Sequence, residues 1–415
     1  MGLRAYIATR VILTIPMIML LLTMVFLIIR VMPGDPVLLH FERRGSEAAM
    51  EEMRRNLGLD KPLLNQYFEY LFNLFRGDLG LSMQDFSSVG QQIFSAFPAT
   101  LELAICSMIV ATVLGVLLGV RASKSYDKPT DHVIRGFGIV TYAIPVFFLG
   151  MILQLTLGIW LRRIGSPIYF PTALRTNPRL DPPKGLVINF SSHPYGFVVS
   201  LLLSLPIALA LLALCLFVVR KKRINLVPKG LLISCGVLIV TEIACVLILW
   251  HFIGKLRVST GLYTIDSLLE GNPVKFVEAL RFLFLPSLSL GLILCGIFIR
   301  MTRNNMLETL RLDFVTAAKA RGLKNRVVVY GYALRNAFLP VLTMMGLQFA
   351  LLLSGAVLTE TTFSWPGLGR YIFERIGFRD YTAIQGAIVV FGLFVAVVSL
   401  VVDILYAYFD PRIRL

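Results

Sequence analysis

Residues 313–340 read DFVTAAKARGLKNRVVVYGYALRNAFLP, and their types and spacing suit mechanical rather than covalent chemistry. Asp313 can cap a short helix running from Phe314 to Arg321. Ala317 and Ala318 keep one face of that helix shallow, so a second surface can approach closely. Gly322 can take a positive φ and end the helix. Leu323 follows the turn and Asn325 can cap a second helix, which runs through Leu334 and Asn336 into the apolar stretch beginning near Leu339 and Pro340. A rigid two-helix knob held by a span at each end can transmit a push, whereas a loose loop cannot. The same stretch could instead lie on anionic lipid through Arg311, Lys319, Arg321, Lys324 and Arg326.

Other chemistries find little support. No GxxxxGK[ST] occurs, so no P-loop is expected and the chain should not hydrolyse ATP. No Ser/His/Asp set stands in a supporting motif. The histidines (His40, His132, His193, His251) are scattered, and the cysteines (Cys106, Cys215, Cys235, Cys245, Cys295) lie in apolar runs without metal-ligand or redox spacing. They read as packing residues, and neither a metal site nor a cofactor is expected on this chain.

Four carboxylates are placed more suggestively. Glu102, Glu242, Glu360 and Asp403 lie within or at the rims of apolar runs. At the centre of a membrane helix a carboxylate costs about 2.5–3.5 kcal/mol unless paired or solvated. Glu102 and Glu360 fall near run ends, where snorkelling or a wet vestibule lowers that cost. Asp403 lies within one turn of Tyr406, and these three read as structural. Glu242 sits mid-run and needs a proton, a hydrogen-bonding partner or another subunit. Pro145, in TYAIP, is a candidate hinge.

The elements that must position these residues are membrane helices. The chain is 57% apolar and only 15% charged, with mean hydropathy +0.77. That composition excludes a soluble domain. Runs long enough to cross the hydrocarbon core fall at 11–30, 99–120, 133–160, 197–219, 229–250, 280–300, 337–359 and 384–409. The first reads as a retained signal anchor, because its apolar part exceeds a signal h-region and no small-x-small site follows. Pro98 opens the second. The net charge of +16 fits cytoplasmic loops better than nucleic acid. Basic residues summed over each side barely discriminate. The short loops decide the orientation: Arg220-Lys221-Lys222-Arg223 and eight basic residues between 300 and 335 face inward. Trp160, Trp250 and Trp365 then fall at outer ends of spans, and both termini lie inside. In the long outer loop Leu63, Leu64, Tyr67, Phe68, Leu71, Phe72 and Phe75 recur at helical spacing, so an amphipathic helix is expected, its cover left open.

Seven motifs then stand in order: MPGDP at 32–36, LGLDKPLLNQY at 57–67, FRGDLG at 75–80, PATLEL at 98–103, AAKARG at 317–322, ETTFSWPGLGR at 360–370 and DPRIR at 410–414. Together they resemble the dipeptide/oligopeptide ABC-transporter permeases, with 313–337 matching the EAA coupling loop. Thr316 and Arg335 stand where the general pattern has Glu and Pro, a departure shared with the peptide branch. The resemblance implies an all-α polytopic membrane protein of the type I ABC-importer permease fold, resident in a bacterial or archaeal cytoplasmic membrane. It implies partners as well: a homologous second permease, two cytoplasmic ATPase subunits carrying ATP and Mg, and an external substrate-binding protein. Cargo would be short peptides, with nickel chelates, glutathione, oligosaccharides or peptide antibiotics as alternatives. A proton-coupled secondary carrier is the competing class. One block, 184–258, interrupts an outer loop of the resembling pattern. It holds two apolar runs about a basic turn, so it leaves and returns on one side. The expected organisation is an N-terminal helix (1–32), an external loop (33–97), the first part of the core (98–183), an inserted hairpin (184–258) and the second part (259–415) with its coupling loop (301–336). Six core helices plus two inserted ones make eight, N-in and C-in.

Overall fold

A computed structural model of the chain describes residues 3–31, 37, 46–56, 58–166, 169–178, 180–189 and 255–409. Two compact units emerge: Met1–Arg179 with Val277–Leu415, and Leu180–Phe276. Among the described residues, six helical stretches are long and apolar enough to cross a membrane: Thr9–Arg30, Val89–Lys124, Val146–Arg163, Pro273–Thr309, Asn325–Leu352 and Tyr381–Ile404. Helices are what such composition demands, because a backbone in hydrocarbon must satisfy its own hydrogen bonds. The chain is a multi-pass membrane protein. The apolar runs 197–219 and 229–250, with Glu242 and Trp250, lie outside the described residues.

The elements of the larger unit are α1 (Leu3–Val31), α2 (Glu47–Asn56), α3 (Leu63–Phe75), α4 (Val89–Lys124), α5 (Pro129–Ala143) and α6 (Val146–Leu153). The turns Gln154–Trp160 and Leu161–Arg163 extend α6. In the smaller unit β1 (Leu186–Asn189) pairs antiparallel with β2 (Lys255–Val258), from Leu186 opposite Val258 to Asn189 opposite Lys255. This ladder is a small departure from an all-α fold. The roots of the 184–258 block are thereby zipped together. After α7 (Tyr263–Leu269), α8 (Pro273–Thr309) leads back into the larger unit, followed by α9 (Asp313–Ala320), α10 (Asn325–Val327), α11 (Leu334–Gly355), α12 (Val357–Thr362), α13 (Leu368–Gly377) and α14 (Tyr381–Phe409).

Small residues let the spans pack closely. Along α4 and α8 a Cβ added at Gly291 would meet Val110, one at Gly115 would meet Phe298, and one at Gly119 would meet Thr302. The rising pairs show that these helices run parallel. Gly296 and Gly138 bring α8 and α5 so close that a Cβ on Gly296 would strike the Gly138 carbonyl. This is the small-residue contact that membrane helices favour when van der Waals packing is the main attraction. Between α1 and α14 the pairs descend: Arg10 bridges Asp403 at 3.3 Å, and Leu21 fills the space beside Gly392. These helices are antiparallel. Asp403 therefore has a cation partner at a half-exposed position.

Three expectations are corrected. Pro98 does not open the second span, because α4 starts at Val89 and carries Pro98 inside it. Its first turns are amphipathic, with Val89 and Ile93 buried against Leu368, Ala387 and Phe391, so an apolar-run reading misses them. The run 133–160 is not one kinked helix. Ile144 is extended (ψ 129°) and Pro145 precedes a fresh helix, as expected when proline forces its predecessor out of the helical region. Trp365 is not an interfacial anchor: it is 1% exposed and its indole N–H donates to the Ala99 carbonyl at 2.9 Å. Trp160, by contrast, is exposed.

Candidate functional site

The knob begins where α8 ends. Leu312 is extended (ψ 149°) and forms the N-cap, so Asp313 is the first helical residue and not the cap. Its carboxylate still stands at the positive end of the helix dipole. Gly322 has φ +74°, with its N–H bonded to the Lys319 carbonyl at 2.9 Å and the Leu323 N–H to that of Ala318 at 3.4 Å. This paired closure is the Schellman arrangement, which requires a left-handed residue at the glycine position. Lys324, not Asn325, is the N-cap of α10. From there a widened π-type turn, Val328–Ala333, carries the chain without a break into α11. In both cap positions the backbone supplied the extended residue one place earlier than side-chain chemistry suggested.

The two alanines do not share a face. Ala318 and Val315 are buried with Met306, Val328, Val329, Ala333 and Ala337, and with Val120 of α4. Ala317 is exposed, as are Asp313, Phe314, Arg321, Gly322, Leu323 and Asn336. Leu334 is half-buried against the inner cluster. Successive helical residues point about 100° apart, so one alanine anchors the knob and the other leaves its outer face shallow. Lys124 at the end of α4 sits over the Tyr330 ring at 4.9 Å. The knob is thus held by α4, α8 and α11 together.

Beside it lies a clamp that the sequence did not announce. Arg303 on α8 donates from Nε to Asp131 Oδ1 and from Nη2 to Oδ2, each at 2.7 Å. Asp131, at the start of α5, is wholly buried. The Arg303 hydrogen bonds hold its carboxyl below the usual carboxylate range, despite burial. Fork-to-carboxylate pairing of this kind fixes orientation as well as distance. Only an acidic residue in the first turn of one helix and an arginine on another could have hinted at it.

The opposite end of the bundle is closed by the ETTFSWPGLGR segment. Glu360 accepts from the Thr100 hydroxyl at 2.6 Å and from the Arg370 amide at 2.9 Å. Thr100 in turn accepts from the Leu368 amide at 2.8 Å. The carboxyl therefore plugs the N-terminus of α13, and burial pushes it up to about 7. Glu102 is buried as well, receiving Arg175 Nε at 3.0 Å and Nη2 at 2.5 Å. Contrary to the expectation for residues near run ends, neither carboxylate is wetted or snorkelling. Each lies in a protein interior and is satisfied there.

Comparison with known proteins supplies the family. Residues 111–415 match the family described as binding-protein-dependent transport system inner membrane component, and residues 3–104 match the N-terminal component of the same systems. The chain belongs to this family. Among its relatives, the dipeptide transport system permease protein DppB of Escherichia coli K12 is 32% identical over 411 residues, covering 99% of this chain and 98% of that one. The di/tripeptide permease protein DppB of Pseudomonas aeruginosa is 34% identical, again over 99% and 98%. A glutathione transport system permease protein, GsiC of Pectobacterium atrosepticum, is 27% identical over the same shares. In this binding-protein-dependent permease the knob and the clamp gather at one end of the bundle and the Glu360 plug at the other. The structure brings together Asp313, Phe314, Ala317, Ala318, Arg321, Gly322, Leu323, Leu334 and Asn336, and places Pro145 and Asp403 elsewhere in the bundle.

Proposed function

We propose that the chain is the transmembrane permease subunit of an ATP-driven importer for short peptides in a bacterial or archaeal cytoplasmic membrane. The observation that carries this reading is near full-length similarity to dipeptide permeases in a chain that presents a braced, basic, exposed knob. Both termini and the knob face the cytoplasm, and the block at 184–258 adds two helices to six. A homologous permease completes the pathway, an external binding protein delivers cargo, and two ATPase subunits carrying ATP and Mg grip the knobs. The exposed surface around Phe314, Ala317, Arg321 and Leu323 is the grip. ATP binding draws the ATPases together, the knobs follow, and the clamp at Asp131 and Arg303 passes that movement to α5 and α8. This chain contributes no nucleotide site.

The test is uptake by the reconstituted complex. Gly322→Pro cannot adopt φ +74° and should abolish peptide uptake and peptide-stimulated ATP hydrolysis while membrane insertion persists. Normal uptake by that variant overturns the mechanism, and transport by this chain without ATPases would point to a secondary carrier. The similarity to a glutathione permease keeps glutathione as the second cargo to assay.

A further inference from the structure

The helix α3 shows three sides of different chemistry. Successive residues turn by about 100°, which gathers Tyr67, Tyr70, Leu71 and Leu74 on one side, packed with Leu22 and Val25 of α1 and Val389 of α14. Glu69 and Asn73 lie on a second side, exposed, where Lys61 Nζ donates to Glu69 at 2.7 Å. The third side is Leu64, Phe68, Phe72 and Phe75, and all four are exposed. Among the described residues of the larger unit, none covers it. Four large apolar side chains in one exposed stripe mark a surface that meets a partner.

Depth selects that partner. The first membrane-spanning stretch ends at Arg30, on the side of the bundle away from the knob. The Thr23 and Tyr67 hydroxyls share a hydrogen bond of 2.7 Å. Thr23 stands two turns inside Arg30, about 10 Å along the helix axis, in a hydrocarbon core about 30 Å thick. The Phe26 ring meets those of Tyr67 and Tyr70, with centroids 5.3 and 5.5 Å away. α3 therefore lies beside the membrane-crossing part of α1 and not beyond its end. At the same level α1 leaves Met24, Leu27 and Ile28 exposed and α14 leaves Ile388 exposed, so the spans themselves meet hydrocarbon there. At the C-terminal end of α3, Arg76 lies over the Phe72 ring at 4.0 Å. Such a long cation can reach the phosphates while the ring stays among the chains.

We infer that α3 is immersed in the bilayer leaflet away from the knob, and that phospholipid acyl chains cover Leu64, Phe68, Phe72 and Phe75. The segment between α1 and α4, expected as an external loop, thus carries a membrane-embedded helix whose polar side, with Glu69 and Asn73, turns to water. The inference rests on the membrane-spanning reading and not on the cargo or the ATPase partners.

The test is photo-crosslinking by the full-length chain in its complex, held in phospholipid nanodiscs. p-Benzoylphenylalanine replaces Phe68, Phe72 or Asn73 one at a time, and the adducts formed on illumination are identified by mass. At Phe68 and Phe72 the label should couple to acyl-chain carbons, with a lipid yield roughly tenfold above that at Asn73, the contrast between two sides of an interfacial helix. Phe72→Trp gives a second reading. The emission it adds to that of the parent chain should be quenched by lipid brominated on its acyl chains and spared by aqueous iodide. Coupling of the Phe68 and Phe72 labels chiefly to a protein subunit, equal lipid yields at all three positions, adducts confined to head groups, or iodide quenching of the added emission would overturn the inference. Because the readout is lipid contact, it stands whether or not the complex imports peptides.

Discussion

Arg303 and Asp131 are 172 positions apart in the chain and meet through two hydrogen bonds of 2.7 Å. The pair lies where α5 and α8 approach the knob, and a few turns away Gly138 and Gly296 hold the same helices in backbone contact. A close crossing and a polar clamp thus tie α5 to α8 at two separate points.

Breaking the clamp from one side should be costly. Asp131→Ala or Arg303→Ala leaves the other charge buried and unpaired, and each should lose about 3–5 kcal/mol. The double replacement should lose less than the sum. Thermal unfolding of the purified permease across that cycle checks it, and additive losses would show that the two residues do not act as a pair.

At Gly322 the constraint is conformational and not steric, since a Cβ there would meet nothing within 4 Å. Asn tolerates the left-handed region and Val does not. Gly322→Asn should therefore keep peptide-stimulated ATP hydrolysis near the native rate. Gly322→Val should carry about 1–2 kcal/mol of local strain and lose most of the stimulation. Similar rates for the two variants would mean that the turn does not govern coupling.

Glu360 predicts an unusual pH dependence. Its carboxyl is raised from an ordinary 4.5 to about 7 by burial, so the folded state holds the proton to higher pH than the unfolded chain does. The stabilisation from protonation is full below about 4.5 and is lost as pH rises to about 7. Glu360→Gln should flatten the melting temperature across that window. A native-like slope in the variant would assign the dependence to another group.

The ladder between β1 and β2 sets a specific excision. Asn189 and Lys255 face each other in register, so residues 190–254 can be replaced by Asn-Gly, the two-residue turn suited to an antiparallel pair. The shortened chain should insert, fold and melt as the full one does. Failure to assemble with its partner subunits would make the removed block part of an assembly interface.

Much of the knob was legible in the linear chain, because its signals are local. The glycine that must turn left-handed, the basic stretch between two apolar runs, and the helical spacing of Leu63 through Phe75 each depend on neighbours within one or two turns. The caps were read one residue late, since Leu312 and Lys324 reach an extended backbone without a capping side chain. Trp365 was misplaced for a different reason. Its position near the end of an apolar run suggested the interface, but the turn through Pro366 and Gly367 folds it back under Ala99, 266 residues away in sequence.

By itself, then, the sequence determined the membrane class, the knob and the order of motifs, because hydropathy and glycine act over a few residues. Tertiary structure alone decided that Ala318 faces inward while Ala317 faces out, that Asp131 answers Arg303, and that Glu360 plugs α13. Those facts depend on which helices lie side by side. In this fold that is set by close glycine crossings and buried charge pairs between residues far apart in the chain, which no local pattern encodes.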